Sequence, residues 1–295
     1  MFQAVMTRDF NSVKTLQLIA KGINYFSGGQ TVIRSMSSLV DLNLAGNKIQ
    51  TLSNLENLRT LRSLNLNSNL LQEIPESLTL PALTTLNLDF NQIKHITNLK
   101  GVKKLENLSL AFNKVEDPSM KGSAFQLLDL DTLNLGGNQI TSIKQIIYGY
   151  PKIQEISLKG NPLHSIIHNA FKECTDLQTL DICNIKLKNY RGDLNFLQAC
   201  TNLTTLKMSG CFVERDFQEI SGIPGLINLE RLEVRDVGLL HLTGISERFQ
   251  MLEVLDLQDN KIYELDAIDD LKLLSYLVEL NLLDNPLMIH RSLKD

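Results

Sequence analysis

Cysteine, tryptophan, net charge and long apolar runs are all scarce in this 295-residue sequence, and each scarcity removes a class of protein. The four cysteines, Cys174, Cys183, Cys200 and Cys211, fall within one third of the chain. Such a distribution braces neither end with disulfides and fits a reducing compartment. A formal net charge of -4 supplies no strong attraction for nucleic acid or an anionic membrane surface. The run of about 18 apolar residues that a membrane helix needs does not occur. Met1 to Asn11 carries Arg8 and Asp9 and lacks the continuous apolar stretch of a secretory signal. A soluble, cytoplasmic protein is therefore expected. What the chain has in quantity is apolar residues, 43% of the total and ample for an extended core.

Those residues are arranged periodically. One phrase, L-x-x-L-x-L-x-x-N-x-I/L, recurs along the chain. Its clearest copies are Leu39, Leu42, Leu44, Asn47, Ile49; Leu61, Leu64, Leu66, Asn69, Leu71; Leu83, Leu86, Leu88, Asn91, Ile93; and Leu105, Leu108, Leu110, Asn113, Val115, starting 22 residues apart. Further copies begin at Leu130, Ile153, Leu177, Leu203, Leu229, Leu252 and Leu277, and a degenerate one at Val13, making twelve units. The alternation L-x-L is a period-two strand with one apolar side. A single unit cannot bury that side, so stacking must supply the missing wall. Successive strands then form a parallel sheet on one face while the return segments form the other. The wider return layer is expected to bend the stack and leave the sheet concave.

The recurring asparagine sits where the strand turns inward, leaving backbone groups that need partners. Its amide supplies both donors and acceptors. Asn47, Asn69, Asn91, Asn113, Asn138, Asn161, Asn260 and Asn285 are expected to form a ladder between coils. Ile185 and Val237 interrupt it, Cys211 stands in the same position, and Lys21 does so in the degenerate first unit. Long returns, Lys188 to Cys200 and Glu214 to Asn228, have room for helical turns, and local irregularity or a change of curvature is expected around residues 180 to 245.

The phrase resembles that of the leucine-rich-repeat family over nearly the whole chain. The 22-residue units resemble its short cytosolic subclass, which includes the leucine-rich regulatory subunit of type-one protein phosphatase and axonemal and dynein-associated proteins. The resemblance implies an α/β solenoid, a right-handed curved horseshoe of about twelve repeats with short helical or 3-10 returns on its convex face. It also implies a non-catalytic scaffold that binds a protein on its concave face. Two narrower roles follow from the same subclass: a structural part of a cytoskeletal or ciliary assembly, and a phosphatase-targeting subunit or a domain of a larger protein. The phosphatase regulator's regular repeats and concave tryptophans are not matched here. Residues 1-38 read as an N-terminal cap containing the degenerate repeat, and 39-295 as repeats ending in a short or truncated cap.

Other chemistry finds little support. His164 and His168 have the i, i+4 spacing of two helical metal ligands but no third ligand, and solvated surface explains them better. Cys174 and Cys200 read as buried small residues in register, and Cys183 and Cys211 lie in strand or turn positions where nothing suggests a disulfide or nucleophile. The sequons at Asn107 and Asn202 touch strands and read as accidental. Gly28-Gly29 and Gly136-Gly137 lack the lysine and spacing of a phosphate loop. No enzyme, metal, cofactor, nucleic-acid, membrane or small-molecule function is expected.

The concave surface remains. Its fifth phrase position reads Gln17, Asn43, Asn65, Asn87, Ser109, Asn134, Ser157, Asp181, Lys207, Glu233, Asp256 and Asn281. These side chains either solvate the sheet and bond across strands or contact a partner, with Lys159 beside them. Phe90 and Phe112 precede the asparagine in adjacent units, where their rings either stack as a surface hot spot or tuck over the core. Asp236, Asp259 and Asp284 hold the same position further on. They either stabilise the turn or receive a basic partner, with Arg231 and Arg235 partly neutralising them.

Overall fold

A computed structural model describes residues 10-27, 31-74, 78-117, 129-143, 152-187, 194-212 and 219-290. The loop at Gly28-Gly29 and the starts of both long returns lie outside the described residues. The chain divides into two compact units, Met1-Val115 with Met120-Leu133, and Glu116-Ser119 with Asn134-Asp295.

In the first unit five short strands, Thr15-Gln17, Asp41-Asn43, Ser63-Asn65, Thr85-Asn87 and Asn107-Ser109, pair in parallel and in chain order. Their central residues are in register, Leu16 with Leu42, then Leu64, Leu86 and Leu108. The return side holds a second small sheet, Tyr25-Ser27 against Thr51-Ser53, and a 3-10 turn at Leu55-Asn57. The second unit repeats the scheme with Glu155-Ser157, Thr179-Asp181, Thr205-Lys207, Arg231-Glu233, Val254-Asp256 and Glu279-Asn281. Ile156, Leu180, Leu206, Leu232, Leu255 and Leu280 are its in-register centre. Strand Thr132-Asn134 falls where the units divide. This architecture is a leucine-rich-repeat solenoid. No helix among the described residues is long and apolar enough to cross a membrane.

Leucine takes the central strand place because its neighbours on both sides cover it. Leu42, Leu64, Leu86 and Leu108 are 1% exposed, and Leu180, Leu206, Leu232 and Leu255 are 0% exposed. Burying each contributes about 1.5 to 3 kcal/mol. The energy accrues coil by coil because each contacts only its neighbours. Leu280, on the edge strand, is 41% exposed, which shows how much of this burial the following coil supplies.

The expected irregularity between residues 180 and 245 does not reach the sheet, where Thr179, Thr205 and Arg231 stay in register. The leucines that define those strands are intact, so variation is confined to the returns. These take 3-10 form at Asn195-Ala199 and Ile220-Gly222, and a helical turn at Ile245-Arg248.

Candidate protein-binding surface

Asn47, Asn69, Asn91, Asn113, Asn161, Asn260 and Asn285 each reach back one coil. Asn69 Nδ2 donates to Leu44 O (3.0 Å) of the preceding coil and Leu66 O (3.0 Å) of its own, while its Oδ1 accepts from Ile49 N (2.9 Å). Asn91 and Asn113 repeat the pattern with Leu66 O and Leu88 O, and with Leu71 N and Ile93 N. Asn47 serves Leu18 O, Lys21 N and Ile23 N. In the second unit Asn161, Asn260 and Asn285 do the same toward Leu135 O, Val234 O and Leu257 O, and Asn138 donates to Leu135 O. All eight are buried. Ile185 and Val237 are buried in the equivalent place, where an aliphatic side chain has no amide with which to bridge coils.

The residue just before this position turns the strand inward, and it has a positive φ in all twelve coils: Ala20, Gly46, Ser68, Phe90, Phe112, Gly137, Gly160, Asn184, Gly210, Asp236, Asp259 and Asp284. Left-handed backbone favours glycine, then asparagine and aspartate. Turn chemistry thus explains the residue type of Asp236, Asp259 and Asp284. It does not explain two phenylalanines.

Phe90 and Phe112 have φ of 53° and 54°, a strained conformation for a bulky side chain. Their rings do not tuck over the core: they are 51% and 55% exposed and stack on each other, with centroids 4.4 Å apart and planes 14° from parallel. The surrounding turn is held firmly. Phe90 N donates to Ala111 O (2.9 Å), and the carboxylate of Asp89 accepts from both Ser109 Oγ (2.5 Å) and Ala111 N (2.7 Å).

The fifth-position stripe has a structural task that the sequence alone did not disclose. The side-chain oxygen of Asn43, Asn65, Asn87 and Asn134 accepts the backbone N-H two residues on, at 2.9 to 3.0 Å. Asp181, Asp256 and Asn281 do likewise for Cys183 N, Gln258 N and Leu283 N. In two coils whose fifth residue is not an asparagine or aspartate, the preceding coil substitutes. Asp89 caps Ala111 N beside Ser109, and Ser209 Oγ caps Arg235 N beside Glu233. The recurring amides are therefore strand-end caps before they are contacts.

Several charges on the second unit's sheet pair with each other. Glu233 lies 3.7 Å from Lys207 and 3.6 Å from Arg231, and the Arg235 guanidinium pairs with the buried carboxylate of Asp256. Gln258 Nε2 donates to Asp284 Oδ2 (2.9 Å), while Asp259 and Lys159 are exposed. The acidic column is thus partly neutralised by its own arginine.

Among the described residues no group of three or more histidine, cysteine or carboxylate side chains is placed to hold a metal ion. His164 immediately precedes the two-residue strand Ser165-Ile166, so it and His168 do not share a helical face. Asn202 Nδ2 is engaged by Thr175 O (2.7 Å). The four thiols are buried, and none is in a disulfide. Burial pushes Cys174, Cys183 and Cys200 up to about 12 from 9.0, with the charge of Asp181 adding to the effect at Cys183, and pushes Cys211 well above 9.0. A thiol held protonated is a poor nucleophile. Above about pH 9 the unfolded chain loses thiol protons that the folded chain retains, so stability falls as pH rises from 9 toward 12 and is unaffected by these groups below 9. Urea unfolding across this range tests the sign. Disulfide-exchange reagents at pH 8 are expected to label the unfolded chain and leave the native one unmodified.

No protein-family model matches the chain. Leucine-rich repeat-containing protein 23 of Bos taurus is 27% identical over 149 residues, 50% of this chain and 40% of that protein. The matched stretch thus spans about two fifths of the length of such curated relatives. Among solved structures, an internalin from Listeria monocytogenes superposes with a TM-score of 0.69 at 22% identity, covering 94% of this chain and 82% of that one. The ectodomain of a plant membrane receptor kinase from Arabidopsis thaliana, in complex with CASPARIAN STRIP INTEGRITY FACTOR 2, gives 0.60 at 23% identity over 88% of this chain and 32% of its own. The fold is one built from strand-and-return coils around a leucine interior. The repeat phrase and these likenesses agree on the leucine-rich-repeat fold.

Proposed function

We propose that this chain is a non-catalytic interaction scaffold, an adaptor that grips a protein partner with its strand face and the adjoining Phe90-Phe112 pair. The observation that carries the reading is the pair itself. At a position where ten other coils place small or turn-forming residues, two coils place strained, exposed, stacked phenylalanines. Sites where a local rule is broken without a packing reward are where function is to be sought. Paired exposed aromatics match the chemistry of an interface hot spot. The buried thiols, none of them in a disulfide, support work in a reducing compartment such as the cytoplasm, with residues 1-38 as the N-terminal cap and 39-295 as the repeats.

The test is affinity capture with the intact chain and with the Phe90→Ala, Phe112→Ala double variant. At about 1.5 to 3 kcal/mol per aromatic buried in a complex, the variant is expected to lose at least about tenfold in affinity, since about 1.4 kcal/mol is tenfold. Partners recovered equally by both proteins would exclude the ring pair as the anchor.

A further inference from the structure

The net charge of -4 conceals a division. The first 115 residues carry 12 lysines and arginines against 7 aspartates and glutamates, a net of +5, and the remaining residues carry 17 against 26, a net of -9. Phe90 and Phe112 lie in the cationic part. Their turns lead directly into an open groove of about 580 Å³ on the same unit, whose lining includes Gln72, Glu73, Gln92, Lys94, His95 and Lys114. Gln92 and Lys114 stand two residues beyond the rings, so their Cα atoms lie within about 7.6 Å of those of the phenylalanines.

The lysines of this groove differ from the basic residues on the second unit's sheet. Lys207, Arg231 and Arg235 are matched by Glu233 and Asp256. Lys94 and Lys114 have no carboxylate within ion-pair distance among the described residues, and Lys114 reaches only the neutral amide of Gln92, at 3.5 Å. The groove lining holds one carboxylate, Glu73, and two lysines. A cationic ligand for the rings would be repelled by these lysines. The rings lie face to face at 4.4 Å, which leaves no slot between them for a nucleic-acid base.

We propose that the occupant of this surface is an acidic protein segment that places a large apolar or aromatic side chain against the Phe90-Phe112 stack and its carboxylates along Lys94 and Lys114. The proposal rests on the ring pair being a docking surface and adds the chemistry of what docks. Apolar contact with the rings supplies the anchor, and unpaired lysines beside it select sign and orientation.

A random-sequence peptide library displayed on phage and panned on the full chain tests both layers. The expected winners carry an aromatic or large aliphatic residue flanked by aspartate or glutamate, and bind more weakly as salt is raised, because exposed charges more than about 8 Å apart are screened at physiological ionic strength. Phe90→Gly with Phe112→Gly, which places in both turns the residue their backbone prefers, should keep the melting temperature and abolish enrichment. Lys94→Glu with Lys114→Glu should keep the fold and weaken the winning peptides at least about tenfold, a loss of about 1.4 kcal/mol. Ring-dependent peptides with no acidic bias would overturn the acidic segment while leaving the docking surface standing. Winners indifferent to the glycine variant would overturn both. Tighter binding of a labelled oligouridylate, or salt-sensitive self-association in sedimentation, would replace the acidic segment with a nucleic acid or a second copy of the chain.

Discussion

Asn91→Leu is expected to lower the unfolding free energy by about 1 to 3 kcal/mol, visible as a reduced urea midpoint. Asn91 is 7% exposed and makes four hydrogen bonds: to Leu66 O at 3.0 Å, Leu88 O at 2.9 Å and Asp89 O at 3.2 Å, and from Leu71 N at 3.0 Å. Leucine has nearly the same volume, so the substitution keeps the shape and removes the chemistry. The buried N-H of Leu71 then has no acceptor, and an orphaned buried donor costs more than the bond itself contributed. The added apolar surface offsets only part of this. Because Asn91 reaches into the coil before it, the damage falls on the junction between coils, and the slope of the urea transition should fall if the two sides begin to unfold separately. Asn91→Asp is a useful companion, since it keeps an acceptor for Leu71 N and removes both donor hydrogens. A leucine variant with unaltered midpoint and slope would mean that the ladder does not hold the coils together.

The ladder and the leucine columns were legible because each follows from a requirement that recurs in every coil. Leu42, Leu64 and Leu86 repeat because they must be covered, and Asn69 and Asn91 repeat because one amide satisfies a donor and two acceptors at once. The fifth-position amides repeated just as visibly, yet their task was not. A polar residue on a strand looks the same in sequence whether it solvates the sheet, meets a partner or caps the N-H two residues on. Only the direction of the Ala45 and Asn67 amides distinguishes these. The left-handed turn was written in Gly46, Gly137, Gly160 and Gly210, and once it is seen the aspartates at 236, 259 and 284 become turn residues while Phe90 and Phe112 become exceptions. The i, i+4 spacing of the paired histidines, read as solvated surface, has meaning as a ligand pair only on a helix, and Ser165-Ile166 is extended. The charge division was hidden by summing over the whole chain, which set a cationic first unit against an acidic remainder.

A feature used only once leaves no period to read, and Gly101 is the case with the largest expected effect. A Cβ at this position would lie 2.2 Å from Leu78 O and 2.7 Å from Thr79 Cα, both backbone atoms of the preceding coil. The approach is fixed by Leu80 N donating to Gly101 O at 3.0 Å, and it brings the buried side chains of Leu78, Leu80, Leu99 and Val102 into one layer. Alanine at 101 therefore forces the two returns apart by about 1 Å, weakening that hydrogen bond and loosening the layer. Overpacking of this kind costs about 1 to 3 kcal/mol, and the strained bond adds about 1, so a loss of about 3 kcal/mol is expected. Restricting the unfolded chain would act in the opposite direction by about 0.4 to 1 kcal/mol, too little to reverse the sign. Gly22 separates crowding from conformation. Its φ is +70° and no atom lies within 4 Å of a Cβ built there, so Gly22→Ala bears only the left-handed strain of about 1 kcal/mol. Thermal unfolding of the two variants should therefore rank Gly101→Ala well below Gly22→Ala. The reverse order would show that the coils around Leu78 stand further apart than their backbone hydrogen bond implies.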